Sequence, residues 1–231
     1  MRRVRMVVYG AGLVGSPLLL IAYWVLYPAY GDLSSADIVS DIGAAPGRTT
    51  VADVFAVTAV FLTVPASLAY LRALEATAPR LSRVGATLSV VGWMAILPLV
   101  VMDVVARQLA AEPKVFGAIY TSGPVVALSA VATVHVLGGL LIGVALVRTR
   151  LISRPLALAA TVAPVAHLTS NLAGVLWVDI ASWLVAAATG VAVLPGLARL
   201  VAADETVTRR EQRGRGTGAD TDLGVHVLDV T

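Results

Sequence analysis

Six apolar runs of 18 to 24 residues, at 6–29, 51–71, 84–106, 125–147, 156–173 and 180–198, divide the chain almost from end to end. A bilayer core about 30 Å thick is crossed by roughly 20 residues of helix, whereas a membrane β-strand alternates apolar and polar positions, and none of these runs alternates. The expected fold class is therefore all-α: a polytopic membrane protein with six transmembrane helices occupying residues 1–203. The last two runs are separated only by 174–179, and read as one helix they would reach roughly 60 Å, twice the core. A turn is predicted there, with Gly174 as a helix C-cap, Asp179 as an N-cap, and Trp177 and Trp183 at interfacial depth. Pro65, Pro98, Pro164 and Pro195 fall inside spans, where they kink helices and free a backbone carbonyl.

Composition excludes the alternatives. With 58% hydrophobic and 13% charged residues and no cysteine, the chain is neither an ordinary soluble domain nor a disulfide scaffold, and it holds no thiolate site. The basic residues punctuate the apolar runs instead of forming one patch, so they speak of membrane orientation and not of nucleic acid. With the N-terminus inside, the inner segments hold fourteen arginines (2, 3, 5, 72, 80, 83, 148, 150, 154, 199, 209, 210, 213 and 215), and the outer ones hold only Arg48, Arg107 and Lys114. This predicts both termini on the cytoplasmic side of the cell membrane. No cleavable signal peptide is expected, because the first run is too long and lacks a small-residue cleavage site. Sixteen Arg to one Lys, with abundant Ala, Val, Gly and Leu, suits a high-GC bacterial genome.

Between the first two runs, Ser34-Ser35-Ala36-Asp37 and Thr50-Val51-Ala52-Asp53 both match the capping box, a hydroxyl followed three residues on by an acid. A short helix is predicted over 35–42, with Ile38, Val39 and Ile42 on one face, ended by Ala45-Pro46-Gly47. From Asp204 onward the chain turns polar, and 204–231 is expected to be a disordered cytoplasmic tail. Its basic stretch from Arg209 to Arg215 suits either solvent or anionic lipid.

The stretch around Gly10-Ala11-Gly12-Leu13-Val14-Gly15 mimics a dinucleotide-binding fingerprint, with Asp32 near the ribose-binding distance. That fingerprint needs an amphipathic helix and a second strand. Residues 18–30 are apolar all round, so the glycines are taken as close-packing positions. Gly139 and Gly143 form a Gly-xxx-Gly step that serves packing within the chain or a homo-oligomer. No nucleophile–His–acid order, metal-protease signature, phosphate loop or paired carboxylate is present, so no motif supports an enzyme, and the sequence calls for no cofactor.

Ionisable groups within spans cost about 2.5–3.5 kcal/mol each at a helix centre, which makes them the best functional clue. His135 lies mid-span on the fourth helix. His167 lies in the middle to outer part of the fifth, its antiparallel neighbour, and Asn171 shares its face. With Asp103 and Asp53 they form a candidate outward-opening polar pocket for a proton relay, a divalent cation or a small polar ligand. The alternative is structural: interhelical hydrogen bonding by neutral histidines, Asp103 paired with Arg107 one turn on, and Asp53 and Asp179 acting as caps. Two histidines at similar depth also raise a bis-imidazole haem, although no second pair exists to complete an electron path.

Several local patterns resemble a group of six-helix bacterial integral membrane proteins of unknown function. They are the Arg-rich start, Pro28-Ala29-Tyr30-Gly31-Asp32 through Ala45-Pro46-Gly47-Arg48, His135-Val136-Leu137-Gly138-Gly139 leading to Gly143 and Arg148, and Pro164-Val165-Ala166-His167-Leu168 followed by Asp179 and Trp183. The resemblance spans residues 5–200 and implies the six-helix fold and no particular activity. The function expected is that of a membrane protein with lipid as its constant partner, structural, regulatory or small-ligand-binding. The alternatives are a small-molecule or proton-coupled transporter working through His135 and His167, and, further off, a haem or metal protein.

Overall fold

The computed structural model describes residues 2–32 and 34–218. Six helices among them are long and apolar enough to cross a membrane: α1 (Arg3–Leu26), α3 (Pro46–Leu74), α4 (Pro79–Gln108), α6 (Gly123–Thr149), α7 (Arg154–Ala173) and the first part of α8, whose apolar portion is Leu176–Ala203. Two short helices, α2 (Ser35–Ala44) and α5 (Pro113–Tyr120), sit on connecting segments at one end. No strand occurs among the described residues. Five of the six runs predicted from sequence fall within these helices, and the first, 6–29, overruns the end of α1 at Leu26 by three residues.

Each long helix packs against the next in sequence, and α8 returns to pack on α1, so the six close into a ring. Tight turns at 75–78, 150–153 and 174–175 and the two longer segments that carry α2 and α5 join successive helices, and the charges sort by end. Arg72, Arg80, Arg83, Arg148, Arg150, Arg154 and Arg199 gather at one end, hereafter the arginine end. Asp32, Asp37, Asp41, Asp53, Asp103, Glu112 and Asp179 gather at the other, the carboxylate end. The core of the arginine end is aliphatic, built on Leu13, Leu74, Leu146, Val193 and Leu197. Under the short helices at the carboxylate end, Ile38, Val39 and Ile42 of α2 pack on Ala106 and Phe116, as the apolar face of α2 predicted.

Several local expectations are met. Ser34 caps α2, its Oγ accepting from the Asp37 amide at 3.1 Å and donating to the Asp37 carboxylate at 2.6 Å. Gly174 ends α7 in the left-handed region at φ 66°, a conformation glycine adopts without steric penalty. All four intraspan prolines lie within helices. Gly12 packs against the backbone of α3 at Ala66, so the fingerprint-like glycines do serve close packing; a side chain at Gly12 would have no room.

Other expectations are corrected. Thr50 and Asp53 do not cap the second span, because α3 begins at Pro46, whose fixed φ suits a first helical position. Thr50 lies inside the helix and donates to the Pro46 carbonyl at 2.9 Å. Asp179 is not an N-cap either: α8 starts at Leu176 and places Asp179 in its first turn. Trp183 faces the bundle interior while Trp177 is 79% exposed, so only Trp177 occupies an outer position. Gly139 and Gly143 stand against Pro164 and Thr161 of α7, so the Gly-xxx-Gly step serves close packing within the chain. Helix α5 was not foreseen. Finally, α8 continues as helix to Gly218, so 204–218 is helical where a disordered tail was expected, and 219–231 lie outside the described residues.

Candidate functional site

The histidines come together, as the antiparallel α6–α7 pairing requires. Their ring centroids are 5.7 Å apart. Each is held by a different device. Helix α6 is interrupted at Thr133: the Val136 amide bonds to the Thr133 carbonyl at 3.0 Å instead of reaching back to Ala132. The Ala132 carbonyl so released accepts from His135 Nδ1 at 2.6 Å. Opposite this break stands Gly92 of α4, where even a methyl group would collide with the His135 backbone, so glycine is what lets α6 approach.

His167 is fixed by the tight α7–α8 turn. The turn at Gly174 folds the first turn of α8 back on the last turns of α7, so that Asp179 Oδ1 lies 2.6 Å from His167 Nδ1. Asp179 is fully buried. Asn171, one turn along α7, donates to Asp179 Oδ2 at 3.2 Å and to the His167 carbonyl at 3.1 Å. The carboxylate thus holds the Nδ1–H tautomer and the ring orientation, a role a neutral amide fills less strongly. Asp179 is the residue that sequence reasoning misassigned. Its signal was present, an acid 12 residues from His167 across a forced turn, but the capping interpretation absorbed it.

Aromatic rings complete the surroundings. Trp93 lies 4.5 Å from His135 and 5.7 Å from Trp183, and Trp183 lies 4.7 Å from His167, all between centroids. These rings and Ser16, Thr63 and Ser182 line a cavity of about 150 Å³ in the middle of the bundle. Two polar atoms in its wall residues are left over, the Trp183 Nε1 donor and the His135 Nε2 acceptor. His135 Nε2 is buried with no hydrogen-bond partner among the described residues. Since Nδ1 faces a carbonyl, which only accepts, the neutral ring carries its proton on Nδ1 and presents Nε2 as an acceptor.

The carboxylates predicted for the same pocket form a separate group. Arg107 does not pair with Asp103 in its own helix but reaches Asp53 of α3 at 2.8 Å, while Asp103 accepts from the Tyr27 hydroxyl at 3.0 Å. Asp103 belongs to a second, larger cavity of about 330 Å³ toward the carboxylate end, which Asn171 also lines and Asp53 does not. His167 and Trp93 line both cavities and form the partition between them. The five predicted residues are therefore divided: His135 and His167 on the inner cavity, His167, Asn171 and Asp103 on the outer one, and Asp53 in an ion pair beside it.

The imidazoles stand too close, with Trp93 and Trp183 against them, for a porphyrin plane to lie between them. Among the described residues no group of three or more His, Asp or Glu side chains is placed to hold a metal ion. Comparison with protein-family models, with curated proteins and with solved structures finds no match. What the molecule does has to be read from the two cavities themselves.

Proposed function

We propose that this chain is a small-ligand-binding protein of the bacterial cytoplasmic membrane, with the arginine end cytoplasmic, and that its ligand is an uncharged molecule with an apolar body and one hydrogen-bond donor. The observation that carries this reading is the buried, unpartnered His135 Nε2 in the wall of a largely apolar cavity. A polar atom buried without a partner costs about 1–3 kcal/mol, and a ligand hydroxyl or N–H seated there removes that penalty. Trp93 and Trp183 suit a flat apolar body. The orientation rests on the charge distribution over residues 1–203, where ten basic residues belong to the arginine end and three to the other. A reporter fused at Ser34 should therefore read external, and a cytoplasmic reading there overturns the orientation.

Phenol and its methyl ether anisole separate the donor from the apolar body. With protein labelled at histidine with nitrogen-15, phenol should shift the His135 Nε2 resonance and bind about tenfold or more tighter than anisole. Equal binding of the two, or no histidine shift, refutes the reading. A second reading, a small-molecule or proton-coupled transporter, is favoured by the place of His167 in the wall of both cavities. It requires proton or solute flux into proteoliposomes that His167→Gln abolishes; no flux above protein-free vesicles refutes it.

A further inference from the structure

The outer cavity differs in chemistry from the inner one. Its walls carry Asp103 and Asp32 and, among the described residues, no Lys or Arg. Carboxyl groups outnumber cations here. Arg107 is engaged by Asp53 at 2.8 Å, and Asp103, beside Asp53, is left with the neutral Tyr27 hydroxyl. Two carboxylates thus share one guanidinium in a buried setting, where an uncompensated charge is expensive. Asp32, at the mouth, has a buried Oδ2 that no donor reaches. A bound cation would complete this group.

The remaining walls say which kind of cation. On one side Tyr23 packs on Trp24 at 4.5 Å and on Tyr27 at 5.1 Å; on the other, Phe116 stacks on Tyr120 at 5.5 Å. Aromatic faces attract weakly hydrated organic cations and give little to a hydrated metal ion, which wants oxygen ligands. Trp24 also keeps a buried indole N–H without a partner, a donor suited to a ligand oxygen. A volume of about 330 Å³ holds a small organic ion with ease.

We propose that the outer cavity binds an alkylammonium alcohol, its ammonium group held between Asp103 and the aromatic rings and its hydroxyl accepting from Trp24. Asp103, Trp24 and the aromatic rings named for this site do not line the inner cavity, so each proposal can fail without the other.

The test is calorimetric titration of the full chain, in uncharged detergent, with choline and with its neutral carbon isostere 3,3-dimethylbutan-1-ol. Choline should bind saturably at one site, and the isostere about tenfold or more weakly, since only the charge has been removed. Asp103→Asn should lose about tenfold or more in choline affinity, while His135→Gln leaves it unchanged. No saturable choline binding, or equal binding of the isostere, overturns the proposal. If Asp103→Asn does not fold, Tyr120→Leu on the short α5 helix takes its place: a several-fold loss of choline affinity is expected, and undiminished affinity overturns the aromatic site.

Discussion

The two ends of the bundle handle charge in opposite ways. At the arginine end the charges stand outside an aliphatic core, and the ion pair Arg83–Glu75, at 2.7 Å, has side chains 65% and 38% exposed. At the carboxylate end several charges go inside while Asp37, Asp41 and Glu112 stay exposed: Asp179 is fully buried on His167 and Asn171, and Asp53 and Arg107 pair with 12% and 18% of their side chains exposed. Exposed arginines fix how a chain sits in a membrane but place no atom with precision. Buried acids have to be matched group by group, and that matching builds the cavity walls. Exposed and buried ion pairs thus lie at opposite ends of the same six helices.

The sharpest test of this contrast is removal of one acid from each end. Asp179→Ala strips the partner from His167 Nδ1 and from the Asn171 amide in a buried setting, and should destabilise the protein in detergent by about 3–5 kcal/mol. Glu75→Ala, which removes an exposed pair, should change stability by about 1 kcal/mol or less. Equal effects in denaturant unfolding would erase the distinction between the ends.

If the arginine end is held by close packing and not by charge, helix contacts there should be the sensitive points. A methyl group at Gly143 would lie 2.5 Å from Thr161 Cα, a backbone atom that cannot swing away, so Gly143→Ala should cost about 1–3 kcal/mol. At Gly10 nothing lies within 4 Å, and Gly10→Ala should be neutral or stabilising by up to about 1 kcal/mol through helix propensity. The pair is read from unfolding midpoints, and a tolerated Gly143→Ala would show that α6 and α7 slide apart easily.

What the sequence revealed follows the same division. The six spans were legible because apolar length is a property of consecutive residues, and the approach of His135 to His167 followed from an antiparallel pair joined by a short turn. Asp179 was read as a cap because the helix start was placed four residues too late; its true partner is 12 residues away and visible only once the Gly174 turn is closed. Arg107 was assigned to Asp103 by i, i+4 spacing, and the competing partner, Asp53 on α3, has no sequence signature. The break at Thr133 that frees the Ala132 carbonyl, and with it the tautomer of His135, was likewise hidden, since no proline or glycine marks it. Local signals located the elements, whereas the matching of buried polar groups is a tertiary property.

The smallest effect expected lies at the mouth of the outer cavity. Desolvation, and then the neighbouring Asp41 and Asp37, raise the Asp32 carboxyl above its ordinary value. A folded-state value above the unfolded one means that the native protein holds the proton more tightly, so stability falls as pH rises through this range. The penalty is fully present above the folded value and disappears below the unfolded one, about pH 4. Asp32→Asn should therefore stabilise the ligand-free protein at neutral pH, within about 0.5 kcal/mol, and the gain over wild type should vanish at about pH 4. Choline should reverse the order at neutral pH, because the charge that burdens the empty mouth is part of what attracts the cation. Unfolding midpoints at pH 4 and pH 7, with and without choline, decide this. A variant less stable than wild type in choline-free buffer at pH 7 would show that Asp32 holds the loop together and is not strained by its acidic neighbours.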